Sequence, residues 1–268
     1  MLEFSVFLAG IRTQNWQTLY DSLKACTNKE FELIFVGPYP LPDSLKDTPN
    51  VKWIEDWGCP SRCYQIGLIN CSAPYVLFVA DDGVFLNNGV IDNAFKTLEA
   101  LPPSKKNIIS MKYYEGSRRK DHGPATEKYW YMKHQKVLKK MPYIPKTCLM
   151  MMCGLIDREY LLEMGGFDCR FNHVGLGCPD LSARLQIDGA NMILGDFFME
   201  FAHINGPISD HAPIHYSHSE VDEPLFVSIW TNPDCMNRIK IDINNWKKVP
   251  DIWGRRFPTG KTKCLKKN

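Results

Sequence analysis

Val76-Leu77-Phe78-Val79-Ala80-Asp81-Asp82-Gly83 decides the fold of this chain: an apolar run passes directly into two adjacent carboxylates and a glycine. Short, continuously apolar runs fit strands covered on both faces, which predicts a strand over Tyr75 to Val79. Neighbouring carboxylates at the end of such a strand repel each other unless a cation or hydrogen-bond donors neutralise them. A hard divalent ion, Mg²⁺ or Mn²⁺, does this, and is usually held by one or two carboxylates plus substrate phosphates. The plain alternative is a solvated Asp-Asp-Gly turn that merely leaves the strand.

The flanking sequence repeats the pattern. Phe4 to Leu8, Phe31 to Val36 and Val51 to Ile54 read as three more buried strands, ended by Ala9-Gly10, Gly37-Pro38 and Glu55-Asp56. Between them, Thr13 or Asn15 is placed to cap a helix with Trp16, Leu19, Tyr20 and Leu23 on its inner face, and Pro60 opens another. Strands alternating with helices indicate a parallel sheet with right-handed crossovers. Ligands of such sheets bind beyond the carboxyl ends of the strands, where Gly10, Asp56, Asp81 and Asp82 fall.

Further on, Lys105 to Lys146 is basic and aromatic, with Arg118-Arg119-Lys120, Tyr129-Trp130-Tyr131 and Lys139-Lys140, and reads as an inserted loop or lid. Cys148 to Ile156 resumes an apolar strand, and Asp157 to Met164 a short helix ended by Gly165-Gly166. Asp180 to Ile187 fits a helix and Ile193 to Phe201 a last apolar segment leading to His203. The tail is rich in His, Pro and Asn and closes with basic Lys261 to Lys267. With no repeat and no clear linker, residues 1–205 are expected to form one domain, with 206–268 an extension packing on it.

The 268 residues are 44% hydrophobic and 12% aromatic, enough for a sizeable core, which excludes a disordered or collagen-like chain. A net charge of +2 sets up no whole-protein field demanding a polyanionic partner. Met1-Leu2-Glu3-Phe4 has no basic export-signal flank, and Cys148 to Ile156 is half of the about 18–20 residues that span a bilayer. A soluble, cytoplasmic protein is therefore expected, with its ten cysteines reduced and packed as small hydrophobes rather than bound to zinc.

A second candidate carboxylate is Asp180, which follows Pro179 and is expected in the first turn of its helix. The exposed N–H groups and helix dipole there stabilise negative charge. A carboxylate so placed and facing a cleft can take a proton from an incoming hydroxyl.

Taken together, Asp81-Asp82, Gly165-Gly166-Phe167-Asp168 and Asp180-Leu181-Ser182-Ala183-Arg184-Leu185 resemble the family 2 nucleotide-sugar glycosyltransferases with the GT-A fold, over most of residues 3–205. The resemblance implies an α/β, Rossmann-like, mostly parallel central sheet flanked by helices, with a C-terminal extension. It implies transfer of a sugar from a nucleoside-diphosphate sugar to a hydroxyl, with inversion and with Asp180 as general base. Asp82 matches the metal ligand and Asp81 the ribose and metal-diphosphate contact. His203 fits a third ligand position, with His211, His215 and His218 as substitutes. Ala9, Gly10, Ile11 and Arg12 would lie under the base and ribose, Asp56 would substitute for the usual carboxylate facing the base, and Arg62 would lie near base or diphosphate. The chain departs from the family at Val79, where a further Asp often stands, and at Gly177-Cys178, in the places of a Glu-Asp pair.

The acceptor is expected at the 105–146 loop and the Lys247 to Lys267 tail, whose basic and aromatic residues suit a glycan or hydroxylated nucleic acid. Two other classes compete. A nucleotidyltransferase would need a glycine-rich basic loop after the first strand, and Gly10-Ile11-Arg12-Thr13-Gln14 has one glycine and one arginine. A non-catalytic carbohydrate- or nucleic-acid-binding module is supported by the missing carboxylates.

Overall fold

Alternation of side chains along each strand explains how so apolar a sequence folds into two covered layers. The computed structural model describes residues 1–85, 89–115, 126–128, 130–131, 140–201 and 212–258. Its strands are β1 (Phe4–Ala9), β2 (Phe31–Gly37), β3 (Val51–Glu55), β4 (Tyr75–Phe78), β5 (Gly83–Phe85), β6 (Asn107–Glu115), β7 (Thr126–Lys128), β8 (Trp130–Tyr131), β9 (Leu149–Met150), β10 (Gly154–Asp157) and β11 (Asn191–Phe201). Nine of them form one sheet in the order β3-β2-β1-β4-β10-β6-β11-β5, with β7 paired to β6, while β8 and β9 pair separately. β1, β2, β3, β4, β6 and β11 run one way, and β5, β7 and β10 the other, so the sheet is mostly parallel.

Helices cover both faces. Phe4, Val6 and Leu8 of β1, with Phe31, Leu33 and Phe35 of β2, join Trp16, Leu19 and Leu23 of α1 (Thr13–Ala25) and Ile91 and Phe95 of α4 (Val90–Glu99). Phe7 of β1, Ile34 and Val36 of β2, and Val76 and Phe78 of β4 point the other way. They pack against Tyr64, Ile66 and Leu68 of α3 (Pro60–Asn70), Leu161 of α5 (Arg158–Glu163), and Leu181 and Leu185 of α6 (Val174–Ile187). The period of two thus supplies both cores from the same strands. The remaining helices are α2 (Asp43–Lys46), α7 (Ala212–Ser217) and α8 (Glu223–Trp230).

Three sequence expectations are corrected. Part of the supposed lid, 107–115, is the strand β6, interior to the sheet, with Ile108, Ile109, Ser110 and Met111 buried. Its apolar stretch is short and flanked by Lys105, Lys106 and Lys112, so local composition hid it. The apolar run from Cys148 divides into β9 and β10, which belong to different sheets. Helix α6 begins at Val174, which leaves Pro179 and Asp180 inside it. Gly175, Gly177 and Pro179 disfavour that start by propensity, and local capping overrides them: the His173 side chain accepts the Gly175 N–H at 3.1 Å.

All nine described cysteines are buried free thiols. No helix among the described residues is long and apolar enough to cross a membrane.

Gly165 and Gly166 end α5 with φ of +84° and +68°. A Cβ on Gly165 would lie 2.0 Å from the Ile241 carbonyl oxygen. Gly165→Ala therefore combines left-handed backbone with a backbone clash, and should lower the free energy of unfolding by about 2–4 kcal/mol. Urea denaturation reads this as a lower midpoint with an unchanged slope.

Candidate functional site

Strands β1 to β4 are parallel and end at one edge of the sheet. Past β1 and β2 the backbone is pared down. A Cβ on Gly10 would come 2.7 Å from the Trp16 ring, and one on Gly37 would come 1.9 Å from the Gly10 carbonyl oxygen. These close approaches account for both glycines, and Ala9 packs against the α3-side core.

Asp81 and Asp82 follow β4 at this edge and are both buried. Asp81 Oδ2 accepts the backbone N–H groups of Ile11 and Arg12 at 2.8 Å each. Its Oδ1 accepts from Arg12 Nη1 at 2.5 Å, and the same nitrogen lies 3.8 Å from Asp82 Oδ2. Burial works against the Arg12 charge, but Asp81 and Asp82 outweigh it and hold its pKa above the usual arginine value. The repulsion foreseen from sequence is thus relieved by an arginine and two amides within the chain.

Arg256 completes the group, and the sequence reading missed it. Trp253 N–H donates to the Trp57 carbonyl at 2.8 Å, the Phe257 and Trp57 rings meet edge-on at 5.0 Å, and Arg256 N–H donates to the Trp253 carbonyl at 3.0 Å. This turn brings Arg256 into electrostatic reach of Arg12, Asp81 and Tyr39. Burial, then the charge of Arg12, pull its guanidinium down to about 10. Nothing local in Gly254-Arg255-Arg256-Phe257 marks it; only the aromatic anchors on either side hint that the tail is fixed.

Asp56 and Arg62 are both buried and pair with each other. Asp56 accepts the Gly58 N–H at 2.8 Å and pairs with Arg62 Nη2 at 2.9 Å. Arg62 Nη1 donates to the carbonyls of Trp246 and Val249 at 2.5 and 2.9 Å, and its guanidinium lies 4.9 Å from the Trp246 ring centre. The pair pins the C-terminal segment to the start of α3.

Asp180 is also corrected. It is 0% exposed, as is Arg184, whose Nε donates to Asp180 Oδ2 at 2.8 Å. Asp180 Oδ1 accepts from Trp230 Nε1 and Arg238 Nη1, both at 3.2 Å. Arg184 also donates to the carbonyls of Met164, Ile239 and Gly166. Arg238 extends to Asp168 Oδ2, which also accepts from Arg170 Nη2 at 2.7 Å. Burial would raise the Asp168 carboxyl, but Arg170 and then Arg238 keep it below the usual range. The glycine motif and the Asp180 stretch therefore meet in one buried network that leaves Asp180 no open side for an acceptor hydroxyl.

Of the expected metal ligands, His203 lies outside the described residues, as does the substitute His211. His215 is on α7, and the His218 ring is 6.5 Å from that of His173. Among the described residues no three His, Cys, Asp or Glu side chains are placed to hold a metal ion. With the Arg12 guanidinium already between the two carboxylates, the described donors do not fit a divalent ion.

One further carboxylate stands out. Asp222 ends a π-helical turn, 218–222, and is 0% exposed. It accepts the Asn172 and His173 N–H groups at 2.8 Å each, just ahead of α6. Burial pushes its carboxyl up to about 6 despite those bonds.

Two predictions follow from these burials. Asp180→Asn leaves Arg184 as an uncompensated buried charge and should destabilise the fold by about 3–5 kcal/mol in urea denaturation. For Asp222, the native pKa lies above the unfolded one, so its contribution is most favourable below about pH 4 and is lost as pH rises toward about 6. That loss amounts to about 2–3 kcal/mol, and because Asp222→Asn lacks the titrating group, this slope should appear in the difference between wild-type and variant stability curves measured from pH 4 to 7.

Comparison of the sequence with family models finds no match, and comparison with curated proteins finds none. Solved structures do match. Residues 1–349 of S. aureus TarS superpose with a TM-score of 0.52 at 13% identity, covering 100% of this chain and 75% of that one. The same protein in complex with UDP gives 0.48 at 13% identity, over 75% of this chain and 58% of that one. The chain thus shares with S. aureus TarS an α/β fold built on a mostly parallel sheet flanked by helices.

Proposed function

We propose that this chain is a glycosyltransferase that takes a sugar from a nucleoside-diphosphate sugar and passes it to a hydroxyl acceptor. One observation carries this: two buried carboxylates, Asp81 and Asp82, paired with the half-buried Arg12, stand at the carboxyl edge of β1 to β4, the place where open α/β sheets bind ligands. Preorganised guanidinium groups there can stabilise the negative charge that grows on a departing diphosphate. The bare backbone at Gly10 and Gly37 gives a flat base and ribose room to approach. The fold shared with the glycosyltransferase TarS supports the same reading.

A single in-line displacement by the acceptor hydroxyl inverts the anomeric carbon, and inversion is part of the proposal. Asp180 is a positioning residue in it: through Arg184 and Arg238 it fixes the glycine motif and the tail that carries Arg256. The expected Mn²⁺ or Mg²⁺ would have to rest on Asp82 with His203. The acceptor, a glycan or a hydroxylated nucleic acid, belongs to the basic segments of the 105–146 region and the tail.

A second reading, a non-catalytic binding module, is favoured by the burial of Asp180 and by Gly177 and Cys178 standing where the family it resembles carries a Glu-Asp pair. A panel of UDP-, GDP- and dTDP-sugars, each incubated with the chain in Mn²⁺ and in EDTA, separates the two. Slow release of nucleoside diphosphate from at least one donor, reduced about 100-fold or more in Arg12→Met, is the expected result. Donor binding without hydrolysis supports the binding module, and neither binding nor hydrolysis sinks the transferase.

A further inference from the structure

We propose that residues 250–257 form an autoinhibitory strap, which in its closed position covers the carboxyl ends of β1 and β3 and has to lift from Trp57 before a nucleotide can enter. The identity of the ligand, a nucleoside diphosphate, rests on the glycosyltransferase reading, and the strap itself does not.

The first observation is what the segment covers. Ile11, just past β1, and Trp57 and Cys59, just past β3, pack with Trp253 and Phe257 in one apolar cluster. Trp57, Cys59, Trp253 and Phe257 are each no more than 6% exposed. Gly10, Gly37 and Asp56, at the carboxyl ends of β1, β2 and β3, are buried too. Open α/β sheets take their ligands at this edge. With the rings of Trp253 and Phe257 seated on Trp57, the β1 and β3 side of it is closed to a base or a ribose.

The second observation is how the segment is held. As far as Val249 the tail is fixed by polar partners. Asn245 accepts the Cys169 N–H at 2.8 Å and donates to the Phe167 carbonyl at 3.0 Å, and Arg62 Nη1 holds the Trp246 and Val249 carbonyls. Beyond that point residues 250–252 and 254–255 are exposed. Anchoring passes to the Trp253 N–H on the Trp57 carbonyl at 2.8 Å and to the Phe257 ring, edge-on to Trp57 at 5.0 Å. The four buried residues of this cluster are separate from the two cores that hold the helices on the sheet, as satellite clusters under loops are. The Trp253 indole N–H is buried among them without an acceptor. Closure therefore leaves unpaired a donor that water satisfies when the strap lifts. A unit with a small cluster of its own, an exposed backbone and an unpaired donor opens at lower cost than the sheet beneath it. A Cβ on Gly254 would meet nothing within 4 Å, so the middle of the strap has room to move.

Amide hydrogen exchange of the full chain, read by mass spectrometry, tests the strap without any ligand. The peptide carrying the Trp253, Arg256 and Phe257 N–H groups should exchange about 100-fold or more faster than the buried amides of α3. Phe257→Ala should speed exchange of that peptide by about tenfold or more, because it removes a ring from the cluster. Calorimetric titration with UDP, GDP and dTDP in Mn²⁺ then reads the edge. Apparent affinity falls with the fraction of molecules that are competent to bind, so at least one nucleotide should bind Phe257→Ala more tightly than wild type, by about the factor gained in exchange. A wild-type strap that exchanges no faster than α3 overturns the proposal, whether or not the variant folds, and leaves the transferase reading intact. Fast exchange with nucleotide bound equally or more weakly by Phe257→Ala overturns autoinhibition and also leaves that reading intact. Fast exchange with no nucleotide bound by either form supports the strap and overturns the nucleotide-sugar donor.

Discussion

The carboxylate of Asp180, with no contact to water, is the constraint on which the rest of this structure depends. An unpaired charge in such a place is prohibitively costly, so the fold must deliver cations to it. Arg184 arrives from the next turn of the same helix, and Arg238 from the C-terminal segment. Because Arg184 also takes the Met164 and Gly166 carbonyls, and Arg238 also takes Asp168, satisfying one carboxylate joins α6, the glycine turn and the tail. Trp230 supplies an indole N–H to the same oxygen and a large apolar body to the core around it. Specific burial of charge here fixes how the segment from Trp230 to Arg238 lies against α6 and the glycine turn.

That placement reaches the other end of the molecule through Arg62. Its pairing with Asp56 and its bonds to the Trp246 and Val249 carbonyls hold the segment that leads to Trp253. Trp253 and Phe257 then close on Trp57, and Arg256 is set beside Arg12 and Asp81. The residues that look functional in the sequence and those that shape the site are thus partly exchanged. Asp56, Arg62 and Asp180 act as fasteners, and the tail provides a charge at the sheet edge. Such an edge is rigid because its charged groups are held by backbone amides and aromatic packing rather than by exposed side chains alone.

Much of the fold was legible because burial on both faces leaves a strong local mark. Phe4 to Leu8, Phe31 to Val36 and Tyr75 to Val79 are apolar without interruption, and each is a strand to within one residue. Glycine and proline punctuation placed α3 and the end of α5 equally well. The failures share a cause. Strand β6 is flanked by lysines and set by distant strand partners, and α6 starts through two glycines ahead of a proline, its His173 cap itself held by the distant Asp222. Asp81 and Asp82 lie at the sheet edge, where Arg12 pairs with them.

Sequence by itself therefore determined the alternating α/β order, the two-sided core and the edge at which acidic residues gather, since these follow from periodicity and from residues that end strands. Only the tertiary structure decided which charges meet. Whether a carboxylate faces a cleft or an arginine depends on groups 58 residues away for Asp180 and 69 for Asp81. Electrostatic pairing acts through space, and no local pattern in the chain encodes the distance between such partners.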